Sequence, residues 1–142
     1  MPFISVTRLR VRSWIYFPVF LLQALRSARQ AAKSEGNITT RLLQESHNTF
    51  WTLSCWSSEK SMKTFILAGT HGAVMRKLVE WCDEAAVVHW SQESSDPPSW
   101  EEAHRRLQQE GRVSKVNNPS LAQNTFSVSA PNRKSGKELR FR

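Results

Sequence analysis

The chain has 142 residues, of which 39% are hydrophobic and 23% are charged, and its formal net charge is +8. This length favours a single domain that is large enough to bury a hydrophobic core. The charge is uneven: residues 1–33 hold six basic and no acidic side chains, residues 34–111 have a net charge of −4, and residues 112–142 have a net charge of +6. Basic ends of this kind are typical of proteins that bind an anionic partner. They are also typical of termini that are exposed to solvent.

The sequence disfavours three classes of protein. The apolar stretch from Trp14 to Leu25 is about 12 residues long, whereas a spanning helix needs about 20, so we predict no transmembrane segment. Peripheral membrane contact stays open. Two cysteines without a C-x-x-C motif are typical of a reducing compartment, which predicts a cytoplasmic protein. Neither an RNP-type aromatic motif nor a helix-turn-helix accompanies the basic ends, so no specific nucleic-acid partner is expected.

The first two elements follow from hydrophobic periodicity. Residues 3–12 alternate between two faces, which predicts a strand. Apolar residues then recur at helical spacing, with Pro18 placed in the first turn. This helix should end near residues 32–35, with Gly36 as a candidate C-terminal cap.

The middle of the chain predicts two strands, a broken helix and a further strand. Thr39 to Glu45 is a weaker strand candidate and Thr49 to Trp56 is the clearest strand of the chain. Two strands joined so closely must pair antiparallel. A helix should start near Ser57, and Gly69-Thr70-His71-Gly72 predicts a break or two helices in sequence. Asp83 and Glu84 should end the helical part, and Ala85 to Gln92 should form the fourth strand.

The last predicted element is a short charged helix. Ser99-Trp100-Glu101-Glu102 resembles a capping box, and Gly111 should stop the helix after Glu110. From residue 112 onward the sequence shows no sustained hydrophobic periodicity. We therefore predict a domain over residues 1–111 and a basic, poorly ordered tail over residues 112–142.

The element order β-α-β-β-α-β predicts an α+β, ferredoxin-like fold. In this fold a four-stranded antiparallel sheet carries two helices on one face. The two best strands are apolar on both faces; in the third strand, Trp51 and Leu53 alternate with Phe50 and Trp56. A solvated face would carry polar residues at alternate positions. We therefore predict that the second face packs on another sheet in a homodimer, which forms a dimeric α+β barrel.

Three segments resemble the dimeric α+β barrel proteins of the antibiotic-biosynthesis-monooxygenase type, and more narrowly the relatives of spheroidene monooxygenase. They are T-F-W-T-L-S-C-W (Thr49 to Trp56), G-T-H-G-A-V-M (Gly69 to Met75) and W-C-D-E-A-A-V-V-H-W (Trp81 to Trp90). The resemblance covers roughly residues 3–92. It implies one of three kinds of protein: a haem-binding or haem-degrading enzyme, a cofactor-free monooxygenase, or a protein without catalysis. The cofactor is therefore open between haem and none; in the haem-binding members the axial histidine comes from the second helix, and His71 is the position that matches it.

Two histidines are the candidate catalytic residues. His71 would be a haem ligand or a general acid/base, because imidazole titrates near neutral pH; the alternative is a partly exposed histidine at a helix break. His89 would orient a ligand inside the sheet cavity; the alternative is a core or interface histidine bonded to a carbonyl.

The candidate substrate site is an aromatic wall with one nearby cation. Trp51, Trp56 and Trp90 could line a cavity for a flat apolar ligand, and structural packing is the alternative. Arg41 could bind a ligand carboxylate, as could Arg8 and Arg10; a solvated strand face with acidic neighbours is the alternative.

The histidines and cysteines lack the spacing of a zinc site, so no metal is predicted. The sequence therefore predicts a monooxygenase-like protein for a large apolar or aromatic substrate, with a non-catalytic dimer that binds a hydrophobic small molecule or a protein as the alternative.

Overall fold

The computed structural model describes residues 1–45, 48–131 and 137–141, and within residues 69–73 it describes the backbone alone. The strands are β1 (Phe3–Val11), β2 (Asn37–Glu45), β3 (Thr49–Trp56), β4 (Cys82–Ser91), β5 (Arg112–Val113) and β6 (Lys137–Arg140). The helices are α1 (Phe17–Lys33), α2 (Glu59–Ile66), α3 (Gly69–Trp81), α4 (Trp100–Glu110) and α5 (Leu121–Thr125), and a 3-10 turn (Trp14–Tyr16) precedes α1.

The described strands form one antiparallel sheet in the order β5-β4-β1-β3-β2-β6. Its four central strands have the predicted ferredoxin-like arrangement. The register brings apolar residues of three strands together, since Val6 lies opposite both Leu53 and Val88. The prediction of four strands is wrong, because the chain after residue 111 adds β5 at one edge and β6 at the other.

One face of the sheet, which we call the α1 face, packs against α1, α2 and α3. Its buried side chains include Phe20, Phe50, Trp56 and Met62. Pro18 lies in the first turn of α1, as predicted, and Gly36 follows the helix with a φ of 85°. A Cβ at this glycine would lie 2.3 Å from the Ser61 hydroxyl oxygen, so both the dihedral and the space require glycine.

The predicted break in the second helical region is present, and it divides α2 from α3. It lies at Leu67 and Ala68, one position before the glycines, so Gly69 begins α3. The predicted end of this region is wrong, because Asp83 and Glu84 belong to β4. An antiparallel neighbour explains the difference: Glu84 lies opposite Arg10 of β1, and opposite charges on paired strands favour the extended conformation there.

The other face, which we call the α4 face, is covered by the same chain. Trp100, Ala103 and Leu107 of α4 are buried against strand residues, and Phe126 and Val128 extend this cover. Ser99 caps the helix as predicted, since its hydroxyl accepts from the Glu102 backbone N–H over 3.1 Å. The sheet is apolar on both sides, as predicted. The prediction of a dimer rested on the need of the second face for a second sheet, and this reason is wrong, since α4 of the same chain covers that face.

The described part of the segment after residue 111 is folded onto the sheet. Beside β5, β6 and α5, it forms backbone hydrogen bonds to β4, in which Ser114 N–H donates to Ala85 and Ser120 N–H donates to Asp83. A domain boundary at residue 111 stays a prediction. Among the described residues no helix is both long and apolar enough to cross a membrane.

Candidate functional site

The predicted site residues lie on opposite faces of the sheet. Trp51 and Trp90 belong to the α4 face, and Arg41 lies on β2 beside them. Trp56 is buried on the α1 face. The three tryptophans therefore do not form one wall. The side chain of His71 lies outside the described residues, so its role stays a prediction.

Trp51 is the centre of the α4 face. It is fully buried, and its indole N–H donates to the carboxylate of Glu45 over 3.0 Å. The rings of Trp100 and His104 on α4 meet it edge-on at centroid distances of 6.4 and 6.3 Å. Trp51 therefore packs within the chain, as the structural alternative for this residue expected. Its hydrogen-bonded N–H avoids the cost of burying an unpaired donor.

Trp90 and Arg41 have partners that the sequence did not reveal. The guanidinium of Arg106 lies 4.8 Å from the Trp90 ring centroid, and the Trp90 N–H donates to Gln92. Arg41 lies near Glu138 of β6. Burial opposes ionisation of Glu138, but hydrogen bonds from Trp100 and Arg140 and the charges of Arg140 and Arg41 lower its pKa below the usual value.

His89 lies on the other side of the sheet. Its ring is 5.6 Å from the ring of Phe3 and it is half-buried. Burial lowers the pKa of His89; the charges of Arg112 and Lys63 lower it further, and Glu59 opposes them. The neutral imidazole is therefore favoured, which suits a hydrogen-bonding or proton-accepting group.

An arginine–glutamate cluster lies on the α4 face. Arg8 donates to one oxygen of Glu84 over 2.6 Å, and Arg10 and Ser120 donate to the other over 2.8 and 3.0 Å. Burial alone would raise the pKa of Glu84, but Arg8, Ser120 and Arg10 lower it overall, so the carboxylate is charged at neutral pH. Arg8 and Arg10 thus have the acidic neighbours of the alternative interpretation, but Arg8 is buried and does not lie on a solvated face.

A cavity of about 10 Å³ lies next to this cluster. Its lining is apolar except for four polar side chains: Arg8, Glu84, Gln123 and Ser127. The Nε of Arg8 is buried and has no hydrogen-bond partner among the described residues. The volume corresponds to about one water molecule. A small cavity with convergent polar groups and an unpaired donor is the arrangement that most resembles a binding site in the described chain.

Sequence reasoning missed Glu84, Gln123 and Ser127 as members of this site. Glu84 could have been found from its place in β4, where its side chain lies on the same face of the sheet as that of Arg8. The predicted strand began at Ala85, one residue too late to include it. Gln123 is fixed by two bonds, since it donates to the Ser114 carbonyl and accepts from the Ala85 N–H. No local pattern marks such a residue.

The described residues contain no group of three or more His, Cys, Asp or Glu side chains that could hold a metal ion. On the α1 face beside α2, Trp56 stacks on Phe65 at 5.3 Å and Met62 is buried beside them. A porphyrin at this place would have to displace these side chains, so this part of the α1 face does not fit a haem.

Solved structures with the same fold include proteins named as oxygenases. A protein of Nitrosomonas europaea assigned by name to the antibiotic biosynthesis monooxygenases has 13% sequence identity and a TM-score of 0.58, with 65% of this chain and 90% of that chain covered. SnoaB, a cofactor-independent oxygenase from Streptomyces nogalater, has 15% identity and a TM-score of 0.53, with 66% and 94% covered. A conserved protein of Methanosarcina mazei Go1 has 20% identity and a TM-score of 0.57, with 66% and 94% covered.

These likenesses confirm the antibiotic-biosynthesis-monooxygenase type of fold, while the narrower resemblance to spheroidene monooxygenase stays a prediction. The part of this chain that these structures cover is about as long as the segment from β1 to β4. A sequence profile described as "Domain of unknown function (DUF3291)" matches residues 25–135. No curated protein matches the sequence.

Proposed function

We propose that this chain, which belongs to the DUF3291 family, is a monooxygenase-like protein for a large apolar or aromatic substrate. The substrate would bind on the α4 face beside Arg8, inside one chain rather than between the sheets of a dimer. One observation carries the proposal: an arginine more than nine-tenths buried lines an apolar cavity and keeps an Nε donor without a partner among the described residues. The fold shared with proteins named as oxygenases supports the reaction class.

The chemistry of Arg8 fits an oxygen atom on an aromatic ligand. A buried guanidinium is costly unless its charge and its donors are compensated. Glu84 compensates the charge through one terminal nitrogen and leaves the Nε available. A phenol or ketone oxygen would accept from this donor, and a substrate that has already lost its proton to solvent water would bind as the anion beside the guanidinium. An electron-rich anion is the form that is most easily oxidised.

The size of the cavity sets a condition on binding. At about 10 Å³ it is far smaller than a polycyclic molecule, so a large substrate requires residues 113–128 to separate from the sheet. Trp51, Trp90 and Arg41 lie on the same face and would then border the substrate. Trp56 and His89 lie on the opposite face and would not meet it. A catalytic role for His89 would need a second site on the α1 face.

A second candidate is non-catalytic binding of a hydrophobic small molecule or a protein. It is favoured by the cavity lining, which offers Arg, Glu, Gln and Ser but neither His nor Cys. Glu84 is held as a carboxylate by three donors, which makes it a weak proton acceptor. A homodimer would need a surface other than the α4 face.

The test combines binding and dioxygen uptake. Hydroxylated polycyclic aromatic compounds are added to the purified full chain, and quenching of tryptophan fluorescence is recorded together with dioxygen consumption. Arg8→Lys keeps a charge beside Glu84 but removes the planar fork, so uptake should fall by about 100-fold. Arg105→Lys, an exposed change on α4, is the matched control.

Three outcomes separate the candidates. Uptake that depends on Arg8 but not on Arg105 supports the monooxygenase proposal. Binding without uptake supports the non-catalytic candidate. Equal uptake by both variants, or neither binding nor uptake by the wild-type chain, overturns the site on the α4 face.

A further inference from the structure

A row of exposed apolar side chains begins at the 3-10 turn and continues along α1. Trp14 is 82% exposed and Ile15 is 65% exposed, and Val19 and Leu22 follow on the same side of the helix. Their spacing of four and three residues places them on one stripe. The opposite side of α1 already packs on the sheet through Phe20 and three buried alanines, so the fold does not require the exposed apolar stripe.

The same stripe becomes basic in the second half of the helix. Arg26, Arg29 and Lys33 are exposed and continue the three- and four-residue spacing from Leu22. No acidic residue occurs between Met1 and Lys33. On the neighbouring helix α3, Arg76, Lys77 and Glu80 are exposed, so the charges there are mixed. The exposed side of α1 and its preceding turn therefore combines an apolar patch with a cationic patch, and we call it the α1 stripe.

We infer that the α1 stripe docks onto the surface of an anionic lipid bilayer. Charge complementarity points to an anionic occupant, since the cationic half carries no acidic side chain. The apolar half projects at its start, because Trp14 is 82% exposed and Ile15 is 65% exposed, and side chains this exposed have few neighbours. A projecting tryptophan beside aliphatic side chains suits the boundary between headgroups and acyl chains.

The geometry also defines how the protein would lie. The buried side of α1 holds the helix against the sheet, so the helix would lie parallel to the membrane, with its apolar half inserted shallowly and its basic half among the headgroups. Both halves are needed: burial of a large apolar side chain contributes about tenfold in partitioning, and each basic side chain near an anionic surface contributes about fivefold.

The test is sedimentation of the full chain with phosphatidylcholine vesicles that either contain or lack phosphatidylserine. Binding should require phosphatidylserine and weaken at high salt. Trp14→Ser combined with Ile15→Ser should lower binding by about 100-fold, and Arg26→Gln combined with Arg29→Gln should lower it by about 25-fold. These side chains are exposed, so the fold should persist. Leu121→Ser is the matched control, because Leu121 is 79% exposed on α5, outside the stripe.

Several results would overturn the inference. Vesicle binding that is absent, or that falls equally in the Leu121→Ser chain, excludes a specific stripe. A dimer that Trp14→Ser dissociates, with no vesicle binding, would identify the stripe as an interface between two copies. Salt-sensitive binding to polyglutamate without vesicle binding would identify an acidic polypeptide as the partner.

Discussion

Arg8 of β1 and Glu84 of β4 form an ion pair of 2.6 Å between two side chains that are only 8% and 6% exposed. They are diagonal neighbours on paired strands, because Arg8 lies opposite Ala86 and Glu84 lies opposite Arg10. The pair therefore forms only when β1 and β4 have this register, and it fixes two buried charges on a largely apolar face. The following predictions begin from this pair.

Removal of the carboxylate charge should strongly destabilise the fold. Glu84→Gln leaves the buried Arg8 charge uncompensated, and the free energy of unfolding should fall by about 3–5 kcal/mol in urea denaturation. Replacing both residues by Met should recover much of this loss, because no buried charge remains. Glu110→Gln at the exposed pair with Arg106 is the control and should change stability by less than about 1 kcal/mol. A small effect at Glu84 would contradict the buried pair.

His89 should make stability depend on pH. Burial lowers the pKa of His89 in the folded chain, with further lowering by Arg112 and Lys63 and opposition from Glu59. The unfolded chain then binds the proton more readily, so this contribution is complete above the unfolded pKa of about 6.5 and is lost as pH falls through the lower folded pKa. Denaturation curves from pH 8 to pH 5 should show a smaller loss for His89→Gln than for the wild type; identical slopes would contradict the shift.

The cover on the α4 face should keep the chain from associating through that face. A chain that ends at Pro98 lacks α4 and all later elements and exposes the apolar face around Trp51. It should form dimers or aggregates, as measured by size-exclusion chromatography with light scattering, because a large exposed apolar face associates. A soluble, monomeric truncated chain would contradict the role of α4 as the cover.

A point substitution gives a milder test of the same cover. Leu107 is fully buried on α4, and Leu107→Ala should cost about 2–5 kcal/mol through lost contacts and a residual cavity. Leu121→Ala on the exposed side of α5 should stay within about 0.5 kcal/mol of the wild type. Equal effects at the two positions would contradict the packing of α4.

Both cysteines should be unreactive in the folded chain. Burial raises the pKa of Cys55 to about 11, against a lowering effect of Arg41, and burial together with the charge of Asp83 raises the pKa of Cys82 to about 12. Because the thiolate is the reactive species, Ellman's reagent at pH 8 should label neither thiol in the native protein and both in guanidinium chloride. Rapid labelling of a native thiol would show that its strand opens locally.

The sequence by itself determined the ferredoxin-like core and the alternation of its strands. Trp51 and Leu53 face one side of β3 and Phe50 and Trp56 face the other, as their positions predicted, because alternate residues of a strand point to opposite faces. Local signals also determined the Ser99 cap of α4 and the break before Gly69, because each depends on a few adjacent residues.

Only the tertiary structure decided what covers the second face and which charges meet. Arg8 and Glu84 are 76 residues apart, and Trp100 reaches Glu138 across 38 residues, so no local pattern links them. The periodicity correctly indicated that both faces of the sheet are apolar. Because the hydrophobic effect is non-directional, it did not indicate which surface covers the second face. That choice depended on whether α4 and the segment after it could reach the sheet, which is a property of the folded chain.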